Sequence, residues 1–103
     1  MIPKIRKDKQ YRVTIEEIDA QDQSTKTLQF EFQDREDVFN VVENLKKGSG
    51  LEPETATKVA VALRLLGPVM MKDRKHPLFV NFMPHFKDFM HNLKSVVKEA
   101  VKG

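Results

Sequence analysis

From Tyr11 the chain alternates: Tyr11, Val13 and Ile15 share one face of an extended segment, while Arg12, Thr14 and Glu16 share the other. This period of two is the pattern of a half-buried strand. A second alternating run follows, with Leu28, Phe30 and Phe32 interleaved by Gln29, Glu31 and Gln33, and the polar stretch AQDQSTK lies between the two. Two such runs around a short polar connection predict an antiparallel hairpin over residues 10–18 and 26–33 with one wet face. A two-stranded hairpin alone is marginal in water, so its apolar face needs a cover. The helices later in the chain are the expected one.

Asp34, followed three residues on by Asp37, predicts a helix cap and a start near Arg35, because acidic side chains satisfy and favour the free N–H groups of the first turn. Val38, Phe39, Val42 and Leu45 form its expected apolar face, and Lys46, Lys47 and Gly48 its stop. After the connector GSGLE, Pro53 is suited to the first turn of a second helix that runs from Glu54 to about Lys72. In that helix Val59, Leu63, Leu66 and Met70 line one face, Val61, Leu65 and Val69 occupy the opposite flank, and mainly Thr57, Lys58 and Arg64 are polar. A helix apolar nearly all round is central to a core or part of an interface. The expectation is therefore a homodimer burying part of residues 54–72, with Val61, Leu65 and Val69 as candidate interface. Gly67-Pro68 predicts a bend or break, since Pro68 cannot donate to the carbonyl of Arg64.

Beyond DRKHP, a stripe of Phe79, Phe82, Met83, Phe86, Phe89 and Met90, continued by Leu93, Val97 and Ala100, recurs at helical spacing. Pro84 divides it into a short turn at 78–83 and a main helix at 84–101. The expected architecture is an α+β domain, ββααα in order: an N-terminal antiparallel β-hairpin packed by three α-helices. One domain spans residues 1–103, with residues 1–9 as a flexible tail.

Composition narrows the function classes. Cysteine is absent, which removes disulfides, thiolate metal sites and cysteine nucleophiles and suits a reducing compartment. The N-terminus MIPKIRKDKQYR lacks the apolar stretch of a signal peptide, and no run approaches the roughly 20 apolar residues of a membrane span. The expectations are a cytoplasmic location and no membrane association. The net charge of +3 is uneven: residues 1–12 carry net +4, residues 13–57 net −7 and residues 58–103 net +6. Such asymmetry lets two halves attract within a fold or across a dimer, or marks a surface for an anionic partner.

The strings MMKDRKHPLF at 70–79, YRVTIE at 11–16, LQFEF at 28–32 and FKDFM at 86–90 resemble a family of small bacterial proteins known only as a domain of unknown function, DUF3861. The resemblance covers nearly the whole chain. It implies a bacterial, cytoplasmic, stand-alone domain and brings no activity, cofactor or site residue with it.

Candidate chemistry is sparse. His85, Asp88 and His91 stand at i, i+3 and i+6, a spacing that spreads three ligands over about a third of a helix circumference with no fourth in view. They are read as a solvated face, and no metal is expected. No nucleophile sits beside a base, no carboxylate pair lies on an apolar background, and Gly48-Ser49-Gly50 follows a helix where a phosphate loop follows a strand. Neither catalytic residues nor a cofactor are expected. Lys87, Lys94 and Lys98, with His91 on the same flank and Arg74 and Lys75 in the preceding connector, are the candidate contacts for phosphate or for an acidic partner. The favoured reading is a small non-enzymatic interaction or regulatory protein acting through a protein partner. The alternative is an accessory nucleic-acid-binding protein using the basic helix face, and a small enzyme ranks third.

Overall fold

The computed structural model describes residues 8–18 and 26–102. Its elements are β1 (Lys9–Glu16), β2 (Thr27–Asp34), α1 (Val38–Gly48), α2 (Pro53–Lys72) and α3 (Met83–Lys102). The hairpin followed by three helices is the α+β order that the periodicities predict. Residues 1–7 of the expected tail, and most of the polar connection AQDQSTK, lie outside the described residues; Lys9, assigned to that tail, instead pairs with Asp34. The chain divides into two units, one up to Glu36 and one from Asp37 onward.

In the first unit β1 and β2 form an antiparallel pair whose register follows from the alternation. Tyr11 lies opposite Phe32, Val13 opposite Phe30 and Ile15 opposite Leu28, so the apolar residues share one face. The rings of Tyr11 and Phe32 stack with centroids 5.3 Å apart. On the other face Arg12 lies opposite Glu31 and Thr14 opposite Gln29. The Arg12 guanidinium donates to Glu31 Oε2 at 2.8 Å, and the Gln29 amide donates to Thr14 Oγ1 at 3.0 Å. The ion pair is well exposed, so it fixes register more than it stabilises, at about 0.2–1 kcal/mol. Ile15 and Leu28 keep 56% and 59% of their surface exposed.

The helix start differs from expectation. Asp37, not Asp34, is the N-cap of α1, accepting from the backbone N–H groups of Phe39 at 3.0 Å and Asn40 at 3.3 Å. Asp34 is still in the strand ladder opposite Lys9, and its buried carboxylate accepts the N–H of Glu36 at 3.0 Å. Both residues satisfy free backbone donors, but only Asp37 is past the last strand pair.

In the second unit α1 packs against both α2 and α3. One apolar cluster joins Leu45 of α1 to Ala56 and Ala60 of α2, with Val41, Val42, Val59 and Val97 around it. A second joins Met70 of α2 to Met83 and Phe86 of α3, with Leu63, Phe79 and Met90 around it. The buried line of α2 is therefore Ala56, Ala60, Gly67 and Met70. Leu66, placed by helical spacing on one face with Val59, Leu63 and Met70, is 48% exposed, and Phe39 of α1 is 72% exposed. Ala56 and Ala60 face inward where α1 packs against α2, and farther along the helix Met70 fills the space toward Met83 and Phe86.

Pro53 stands at the first turn of α2, as its fixed φ favours. Gly67-Pro68 does not break α2, which continues to Lys72. The site lies only a few residues from the helix end, and burial of Gly67 and Met70 on either side holds the segment helical. Residues 73–82 form successive turns, stabilised by the N–H of Leu78 donating to His76 Nδ1 at 3.0 Å and that of Val80 to the His76 carbonyl at 2.9 Å. Pro84 then falls in the first turn of α3, where its missing N–H requires no partner. The buried apolar stripe is narrower than the sequence suggests: Met83 and Phe86 of α3 are buried, whereas Phe89, and Phe82 in the turn before the helix, are each 47% exposed.

Candidate functional site

Two helices contribute to one open groove of about 460 Å³. From α2 it takes Leu63, Arg64, Gly67, Pro68 and Met71; from α3 it takes Phe86, Lys87, Met90, His91 and Lys94. Both sets follow i, i+1, i+4, i+5 and i+8, which is one continuous face of a helix. At 1.5 Å per residue each wall extends roughly 12 Å, a little over two turns.

The lining separates by polarity and depth. Gly67 and Phe86 are buried and Leu63 and Met90 half-buried, so the bottom is apolar. A Cβ on Gly67 would meet Cζ of Phe86 at 3.6 Å, ordinary contact distance, so the ring of Phe86 reaches across to that glycine. Lys87, His91 and Lys94 are exposed and Arg64 half-buried, so polar side chains edge the opening. Among the described residues, four nitrogenous side chains and no carboxylate line the groove. Such a site complements an anionic group with apolar surface beside it.

Of the basic residues singled out from sequence, Lys87 and Lys94 border this groove, together with His91 of the same flank. Lys98 lies one turn beyond the lining, and Arg74 and Lys75 lie in the exposed turns after α2; none of the three belongs to it. Arg64, read only as one of the polar positions of its helix, is the residue that sequence reasoning missed. Its separation from Lys87 along the chain hides that both border one groove, although the matching i, i+1, i+4, i+5, i+8 spacing was available in both helices. The candidate dimer residues are placed differently. Val61 and Leu65 are half-buried and Val69 is 47% exposed. Among the described residues no three His, Cys, Asp or Glu side chains come together as metal ligands, and no helix is long and apolar enough to cross a membrane.

Comparison with known proteins adds the family. The model of a domain of unknown function with a solved structure, DUF3861, matches residues 9–95. The chain belongs to the DUF3861 family. That span takes in both strands, the first two helices and the groove-lining part of α3, so the groove lies wholly inside the DUF3861 domain. Among solved structures, the chain is similar to a crystal structure of a protein of unknown function from Pectobacterium atrosepticum, with 38% sequence identity and a TM-score of 0.75. The similarity covers 86% of this chain and 99% of that one. No curated protein matches this DUF3861 member.

Proposed function

We propose that this DUF3861 protein is a small, cytoplasmic, non-enzymatic interaction or regulatory module that acts through a protein partner and pairs with a second copy of itself. The observation that carries the reading is the apolar surface left on α2. Leu66 and Val69, one turn apart on the side of the helix away from Ala56 and Ala60, keep 48% and 47% of their surface exposed, and Met71, on the other side beside the groove, keeps 48%. Monomeric proteins seldom leave neighbouring large apolar side chains open to water unless something docks there.

The flank used for self-pairing is separable from the groove. At about 100° per residue, Val61, Leu65 and Val69 lie far around α2 from the buried Ala56 and Ala60, while Leu63, Gly67 and Met71 lie close to that buried line. Isologous pairing through the outer flank closes on itself and leaves the groove accessible. A photo-crosslinking residue placed at Val69, and separately at Met71, in cells of the native host is expected to give adducts with a second copy from the first position and with another protein from the second. Sedimentation velocity at micromolar concentration is expected to give a dimer mass. A monomer mass removes the self-pairing, and the absence of adducts from both positions overturns the interaction reading as a whole.

A further inference from the structure

We infer that the groove between α2 and α3 is a docking site for an acidic amphipathic helix of a partner protein, of about two turns, bound with its apolar face down. The inference rests on the interaction reading above and names the occupant.

Length comes first. Both walls run from i to i+8, roughly 12 Å, which matches eight residues of a helix laid along them. A helix seated in a groove of this kind presents side chains at i, i+3, i+4 and i+7. The bottom offers them the half-buried Leu63 and Met90, with the buried Gly67 and Phe86 beneath them. Met71 and Met90 add unbranched, polarisable side chains that adapt to the shape of an incoming residue.

Charge supplies the second element. Lys87 and Lys94 stand seven residues apart on one flank of α3, a rise of about 10 Å. Carboxylates seven residues apart on a docked helix have the same rise, so both ammonium groups are met at once. Arg64 borders the groove from the other wall, and among the described residues no acidic side chain lines it. The cations are distributed along the groove, which suits a row of anions better than the single head group of a fatty acid. Nucleic acid also supplies a row of anions, but it requires faces on which bases stack. Among the described residues, the one aromatic ring in the lining besides that of His91 is Phe86, which is 8% exposed and committed to the cluster with Met70 and Met83.

The test uses the full chain and three fluorescent probes. One is a peptide of roughly 14 residues, four helical turns, with leucines at i, i+3, i+4 and i+7 and glutamates on both flanks. The second has lysines in place of the glutamates, and the third is a single-stranded oligonucleotide. Fluorescence anisotropy is expected to show binding of the acidic peptide that weakens with added salt, and no comparable binding of the basic peptide or the oligonucleotide. The double variant Lys87→Glu/Lys94→Glu is expected to lose affinity for the acidic peptide by about tenfold or more and to gain affinity for the basic one. Met71→Asp, at a position 48% exposed, is expected to weaken the acidic peptide while the circular dichroism spectrum stays that of the parent. Equal binding of both peptides, preference for the oligonucleotide, or indifference to the charge reversal overturns the assignment. Failure here is distinguishable from failure of the broader reading: in that case crosslinked adducts from Val69 or Met71 persist in the Lys87→Glu/Lys94→Glu protein.

Discussion

Phe86→Ala is expected to destabilise the helical unit by about 3–5 kcal/mol, the range for emptying a phenylalanine-sized space in a packed interior. Phe86 is 8% exposed and packs with Met70, itself 1% exposed, and Met83, so the ring lies at the meeting point of α2 and α3. Domains of this size hold only about 5–15 kcal/mol in total. The loss is therefore a large share of the whole, and the melting temperature is expected to fall by more than about 12 °C. Phe82→Ala is the control. Its ring centroid is 6.1 Å from that of Phe86, yet the side chain is 47% exposed, and the expected cost is below about 1 kcal/mol. Urea unfolding followed by circular dichroism measures both. Equal losses for the two would show that α3 does not bury the face described.

The second large effect is expected at Gly48. A helix interior ordinarily gains about 0.5–1 kcal/mol when glycine becomes alanine. Here an added Cβ would meet the Cα and carbonyl oxygen of Val97, each at 3.0 Å, and its Cγ1 at 3.1 Å. Two of these atoms are backbone, so relief requires α1 and α3 to separate. The overpacking penalty of roughly 1–3 kcal/mol outweighs the propensity gain, and Gly48→Ala is expected to lower stability, with Gly48→Val lower still. Val97→Ala in the Gly48→Ala background removes only the Cγ1 contact and is not expected to restore the parent stability. A Gly48→Ala protein as stable as the parent, measured by chemical denaturation, would show that the two helices are not held this closely.

The role of Gly48 also shows the reach of the sequence. Lys46, Lys47 and Gly48 correctly mark where the first helix ends. Yet Gly48 is the last helical residue and has no left-handed backbone; the positive φ of 84° belongs to Gly50. A terminating glycine and a close-approach glycine look alike in sequence, because each is defined by what lies outside its own segment.

By itself the sequence determined the local structure. Strict alternation set the strand register, since a slip by one residue would turn Val13, Phe30 and their neighbours to the wrong face and part Arg12 from Glu31. Pro53, Pro84 and the acidic residues before Val38 set the helix starts to within a few residues, because caps and proline act through the backbone of their own turn. Tertiary structure alone decided which apolar residues are inside. Ala56, Ala60, Gly67 and Met70 are buried while Leu66, Phe39 and Phe89 are not, because burial depends on where the neighbouring helix lies and no count of hydrophobicity along one helix contains that position. It also decided the candidate site. Lys87 and Lys94 were visible as a basic flank, but a groove needs a second wall, and Arg64, Gly67 and Met71 became that wall only when Phe86 packed over Gly67.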